Sequence, residues 1–126
     1  YMNLAGMIFI DRSNSEKAMQ SMRNAGNLIK KGRNIVTFPE GTRSEGGEMK
    51  KFKKGSFIIS KESEIPIIPT AIKNSNHVNP NNSFILKEGT IQIVFGKIIT
   101  NINHFDSPEE LSIYTQNKVK ELVNNI

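Results

Sequence analysis

Apolar positions along this chain alternate between strand-like runs and helix-like spacing. Gly6-Met7-Ile8-Phe9-Ile10 is a continuous apolar run bounded by Gly6 and the polar pair Asp11-Arg12, the pattern of a short buried strand. Ser13 and Glu16 follow as a capping-box pair. Behind them Ala18, Met22, Ala25 and Ile29 recur at spacings of four, three and four, which makes one helix face apolar while Lys17, Arg23 and Lys30 project elsewhere. Gly32 is the expected left-handed stop. Asn34-Ile35-Val36-Thr37-Phe38 returns to strand character and ends at Pro39, which cannot donate to a ladder. Strand, helix and strand over about 33 residues predict a βαβ unit with a parallel pair and a right-handed crossover. The loop after Phe38 then leaves a strand's C-terminal end, the edge at which open α/β sheets bind ligands.

The second half continues the alternation. Ser56 to Lys61, entered through Gly55, reads as a short helix. Pro66-Ile67-Ile68-Pro69-Thr70-Ala71-Ile72 reads as a strand whose two prolines keep its first half out of a central ladder. Residues 74–82 hold five asparagines, a histidine and a proline, and predict a loop. Ile91-Gln92-Ile93-Val94-Phe95, then Gly96, then Ile98-Ile99 predict a strand interrupted by a bulge or tight turn. Ser107-Pro108-Glu109-Glu110 combines an N-cap, a proline at the first helical position and a capping-box glutamate. Leu111, Tyr114, Leu122 and Ile126 mark the predicted buried face of the closing helix. The expected architecture is a three-layer α/β/α fold with a mixed, partly parallel central sheet, in one domain over residues 1–126.

Composition narrows the class without identifying it. The chain has 126 residues, 37% hydrophobic and 23% charged, with no cysteine and no tryptophan. The apolar share can fill one core, and the absence of cysteine excludes a disulfide framework, a thiolate metal site and a cysteine nucleophile. No apolar stretch approaches the roughly 18 residues of a membrane-spanning helix. The net charge of +5 is lopsided: residues 1–61 carry twelve Lys/Arg against five Asp/Glu, residues 62–126 five against seven. The basic half calls for an anionic partner, whether nucleic acid, an anionic membrane or a phosphorylated small molecule.

The chemistry concentrates in Phe38-Pro39-Glu40-Gly41-Thr42-Arg43-Ser44 and the cluster Lys50-Lys51-Phe52-Lys53-Lys54-Gly55. A turn containing Gly41 permits close backbone approach. Arg43 offers a planar fork of donors suited to phosphate, and Thr42 and Ser44 add short hydroxyl donors. Glu40 repels phosphate, so its expected roles are to orient Arg43 or to accept a hydrogen bond from a substrate hydroxyl. Nucleic acid fits poorly, because only Phe52 supplies an aromatic ring within the basic cluster. No P-loop is present, since Lys54-Gly55-Ser56 has the wrong order.

The segment from Phe38 to Ser44 resembles the third signature block of the glycerolipid acyltransferases, most closely the bacterial 1-acyl-sn-glycerol-3-phosphate acyltransferases. Gly6 to Arg12 resembles their second block, Phe52-Lys53-Lys54-Gly55 their basic step after the third, and Ile65 to Ile72 their fourth. The resemblance covers about residues 6 to 99 and implies transfer of a fatty acyl group from acyl-CoA or acyl carrier protein to the free hydroxyl of lysophosphatidic acid. It implies no cofactor and no metal. Carried over residue by residue, Arg43 holds the phosphate, Glu40, Gly41 and Thr42 shape the pocket, Arg12 and Lys53 assist, and Pro69 lines the acyl side.

The family's first block, Asn-His-x4-Asp, supplies the general base, and it is not found in this sequence. His77 has Asn82 where the aspartate belongs, and an amide cannot stabilise an imidazolium. His104 has Asp106 only two positions on. Neither is assigned as a catalytic residue. The expectation is therefore a C-terminal portion of an acyltransferase domain, consistent with a chain that opens on Tyr1, inactive alone and without a spanning segment. Its full-length protein would act at the cytoplasmic face of the cell membrane, on an anionic surface. The alternative is a noncatalytic basic module binding anionic membrane or nucleic acid.

Overall fold

A computed structural model describes residues 14–44 and 47–126. The predicted strand 6–10, Ser13 and Arg12 lie outside the described residues. The first helix, α1, spans Ser15–Lys30. Its cap is Asn14 rather than Ser13: the Asn14 Oδ1 accepts from the backbone N–H groups of Glu16 at 2.9 Å and Lys17 at 3.3 Å, satisfying two of the donors a helix start leaves open. At the other end Gly32 takes φ +90°. Its N–H reaches the Ile29 carbonyl at 2.9 Å while that of Arg33 reaches Leu28 at 3.2 Å, the paired bonds of a Schellman stop. Ala25 and Gly26 are buried where α1 meets the next helix.

Residues 34–38 do not form the predicted strand. They form no ladder with any other described residue, and Val36 and Phe38 are exposed. Apolar, β-branched composition specifies a strand-like chain but not a partner, and the partner expected from the sequence falls outside the described residues.

Helix α2, Gly55–Ser63, follows the basic segment and buries Phe57, Ile59 and Ser60. Strand β1, Thr70–Lys73, pairs antiparallel with β2, Gln92–Phe95, in the register Ala71↔Val94 and Ile72↔Ile93. An isolated bridge, Ile67↔Ile99, extends the pairing around Pro69 and Gly96, and the Gly96 N–H donates to the Pro69 carbonyl at 2.7 Å. The prolines thus shorten the ladder as expected. Between the strands, residues 75–78 form a single helical turn, α3, in the stretch predicted as loop. It is entered through Asn74 in the left-handed region at φ 68°, which asparagine tolerates better than most residues.

Helix α4, Pro108–Asn124, closes the chain. Ser107 caps it by accepting from the Glu110 N–H at 3.1 Å, and the Glu110 carboxylate accepts from the Asp106 N–H at 2.7 Å. Its buried stripe is Leu111, Ser112, Thr115, Gln116 and Val119. Tyr114, predicted on that face, is exposed and instead packs at a tilt on Phe105, with ring centroids 5.0 Å apart. The buried hydroxyls are satisfied inside the helix, Thr115 donating to the Leu111 carbonyl and Ser112 to that of Glu109, both at 2.8 Å, so they cost little.

The core gathers Phe52, Phe57, Ala71, Ile99, Ile102, Phe105, Leu111 and Val119 between α2, α4 and the inner face of the two strands. Each large side chain fully buried there contributes about 1.5–3 kcal/mol. The other sheet face leaves Ile72, Ile93 and Phe95 exposed. No helix among the described residues is long and apolar enough to cross a membrane.

Candidate functional site

Pro39 begins a tight turn in which the Gly41 N–H donates to the Phe38 carbonyl at 3.0 Å. Gly41 itself stands at φ +75°, where a β-carbon is disfavoured. The basic segment returns alongside this turn. The Lys53 N–H donates to the Pro39 carbonyl at 2.8 Å, and the Lys50 N–H donates to Glu40 Oε2 at 2.9 Å. Lys50 Nζ donates to Thr42 Oγ1 at 3.1 Å. Glu40 therefore does not orient Arg43; it fastens the lysine segment to the turn.

The side chain of Lys53 lies directly over Gly41. A β-carbon built on Gly41 would come within 2.9 Å of both its Cε and its Nζ, so the absence of a side chain at 41 is what seats this ammonium. Arg43 is exposed and makes no ion pair or hydrogen bond with any described residue. Gly41, Thr42, Arg43 and Lys53 are thus brought together with two cations uncommitted.

Three features of this arrangement were not read from the sequence. Gln116 of α4, buried, receives the Phe52 N–H on Oε1 at 3.4 Å and donates from Nε2 to the Lys50 carbonyl at 3.1 Å, holding the basic segment from behind. A polar residue inside the buried stripe of α4 was the available signal. Lys54 pairs with Glu109 at 3.2 Å, and Glu109 is held below the usual carboxylate range first by a backbone N–H and then by Lys54. Asn81 Nδ2 donates to the Ser44 carbonyl at 2.8 Å, tying the loop after α3 to the end of the turn.

Pro69 is fully buried immediately ahead of β1, and Arg12 lies outside the described residues. His77 sits exposed on α3, and the nearest ring partner of His104 is Asn101, 3.4 Å from Nδ1, rather than Asp106. Arg43 and Lys53 thus stand as two uncommitted cations on adjoining segments that Glu40 and Gln116 fix, a donor set whose chemistry suits a phosphate oxyanion.

The comparisons with known proteins bear on the family. A 1-acyl-sn-glycerol-3-phosphate acyltransferase of Salmonella typhimurium is 36% identical over 121 residues, 94% of this chain and 44% of the relative. A chloroplastic 1-acyl-sn-glycerol-3-phosphate acyltransferase of Brassica napus is 28% identical over 124 residues, 98% of this chain and 35% of the relative. The crystal structure of the 1-acyl-sn-glycerophosphate (LPA) acyltransferase PlsC from Thermotoga maritima matches with a TM-score of 0.84 at 28% identity, covering 99% of this chain and 49% of that one. The chain therefore spans less than half the length of each of these relatives. The acyltransferase family model matches residues 1–73, a span that contains the Gly41 turn, the lysine segment that folds onto it and more than half of the sequence; the chain belongs to the acyltransferase family.

Proposed function

We propose that these residues form the phosphate-binding part of an enzyme that transfers a fatty acyl group from acyl-CoA or acyl carrier protein to the free hydroxyl of lysophosphatidic acid, giving phosphatidic acid. The observation that carries this reading is the pair of uncommitted cations, Arg43 two residues after Gly41 and Lys53, whose ammonium is seated over Gly41 by the absence of a side chain there. Arg43 is the bidentate phosphate ligand on this reading. Lys53 is a point charge beside it, and Gly41 and Thr42 form the floor. Glu40 shapes the pocket through Lys50, and Pro69 backs the wall toward the acyl chain. The general base comes from the His-x4-Asp block that the family carries ahead of Gly6, so the 126 residues alone do not turn over. No cofactor takes part.

The same reading makes the antiparallel pair one part of a mixed, three-layer fold; the apolar outer face of β1 and β2 supports it. In the full-length protein the site works at the cytoplasmic face of the membrane, where the acceptor lipid resides.

The test is a calorimetric titration with glycerol 3-phosphate, the acceptor's soluble head group. Arg43→Ala should weaken binding by about 10- to 100-fold, the worth of a charge-assisted bidentate contact, and Arg43→Lys should recover only part of it. If Arg43→Ala leaves affinity intact, and binding instead falls in proportion to the number of lysines removed from residues 50–54, the chain is a general polyanion module and the acyltransferase reading of the turn fails.

A further inference from the structure

Three large apolar side chains stand together at the tip of the loop between α3 and β2. Phe84, Ile85 and Leu86 are 110%, 74% and 70% exposed. An isolated exposed leucine is ordinary, but three consecutive apolar side chains projecting from a loop cost solvation without any compensating contact among the described residues.

The loop that carries them is built, not slack. Its base is closed by the Lys87 N–H on the Val78 carbonyl at 2.9 Å and by the Ser83 N–H on the Pro80 carbonyl at 3.3 Å. Within the tip, Ser83 Oγ accepts from the Ile85 N–H at 3.0 Å. Asn74 Nδ2 reaches the Thr90 carbonyl at 3.2 Å, and Gly89 lies so close to Val78 and His77 that a β-carbon there would meet them at 3.0 and 3.3 Å. The backbone spends these polar groups internally and presents hydrocarbon outward. At the tip's foot, Asn81 is bonded to the Ser44 carbonyl, so the apolar tip is coupled to the end of the turn that carries Arg43.

We propose that Phe84-Ile85-Leu86 is a wedge that enters the interfacial region of an anionic lipid bilayer, seating the Gly41 turn at head-group level. The charge arrangement favours this occupant over another protein surface: Lys87 flanks the wedge directly, with Glu88 one residue further on, and the Asn81–Ser44 bond ties the tip to the turn onto which the basic segment 50–54 folds, in a half of the chain whose net charge is positive, matching anionic head groups above buried acyl chains. The inference rests on the acceptor being a lipid phosphate. A soluble phosphate ester would need the cations but not the wedge.

The chain contains no tryptophan, so Phe84→Trp introduces a single fluorescent reporter at a position free of packing. On vesicles of mixed neutral and anionic phospholipid its emission should move to shorter wavelength and be quenched by bromine-labelled acyl chains, whereas the reporter in Ile113→Trp, at an exposed position on α4, should not respond. Replacing Phe84, Ile85 and Leu86 together by serine should reduce vesicle partitioning by at least about tenfold per side chain inserted while glycerol 3-phosphate binding is retained. Conversely, adding Arg43→Ala to the Phe84→Trp protein should weaken glycerol 3-phosphate binding by the same roughly 10- to 100-fold yet leave the emission shift on vesicles in place, so failure of the wedge and failure of the phosphate site separate. An emission from the Phe84→Trp protein that ignores vesicles, or that is already shifted and unresponsive in the full-length gene product because the tip packs on other protein, overturns the proposal.

Discussion

Substituting Gly41 by alanine tests the site at its narrowest point, because the new methyl acts in two independent ways. At φ +75° a β-carbon costs roughly 1–2 kcal/mol in the left-handed region. The same methyl would sit 2.9 Å from Cε and Nζ of Lys53, well inside contact distance. The far end of a lysine is flexible, so that clash is relieved by moving the ammonium, and the backbone bond from Lys53 to Pro39 survives. Stability should therefore fall by about 1–2 kcal/mol from strain alone, read as a shift in the urea midpoint with an unchanged slope. Affinity for glycerol 3-phosphate should fall about tenfold, the scale of one charge-assisted contact. Gly41→Asn separates the two effects, since asparagine tolerates positive φ but still carries a β-carbon: stability should largely return and affinity should not. In a double-mutant cycle with Lys53→Met the affinity losses should be strongly non-additive. Additive losses, or a Gly41→Ala protein that is destabilised but binds as tightly as the parent, would refute the placement of Lys53 over the turn.

Two further outcomes follow from the groups behind the site. Gln116→Leu leaves the Lys50 carbonyl and the Phe52 N–H without partners, so stability to urea should drop by about 1–3 kcal/mol with weaker glycerol 3-phosphate binding; a change within about 0.5 kcal/mol, the range of a neutral surface site, would refute the clamp. Glu109 ionises more readily in the fold than in the unfolded chain, so its stabilising contribution is complete above its unfolded value of about 4.3 and is lost as pH falls through the lower folded value. The difference in melting temperature between the parent and Glu109→Gln should be present at pH 7 and vanish in stronger acid, and a gap that persists there would count against the ionic role.

Features encoded within a few residues were legible. Gly32 stops α1 through its own φ, Gly55 opens α2, Ser107-Pro108 starts α4, and Pro66 and Pro69 hold β1 to Thr70–Lys73, because each acts through local conformation or a missing donor. The choice between Ser13 and Asn14 as cap was not legible: both are good caps with Glu16 in reach, and only geometry shows Asn14 holding two N–H groups. The failed strand at 34–38 has a different cause. Composition there describes a chain that would pair, while pairing is a property of two segments. Residues 75–78 misled in the opposite sense, five nearby asparagines reading as loop although one of them, Asn74, supplies the left-handed entry to a helical turn.

The site itself divides along the same line. Gly41, Thr42 and Arg43 could be named as phosphate-binding candidates because a cation beside a glycine is a chemical statement about neighbours in sequence; Lys53 enters only through the resemblance to the family's basic step. Which cations stay available is a statement about the fold. Lys50 is committed to Thr42 and Lys54 to Glu109, so a cluster that looks uniform in sequence is sorted into builders and binders. Glu40 is the clearest case. An acidic residue two or three positions from the proposed phosphate ligands would oppose the anion if it faced them, yet here its carboxylate is spent on the Lys50 N–H. The charge that reads as unfavourable in the motif is what brings the lysine segment back onto the turn, and so what places Lys53 over Gly41.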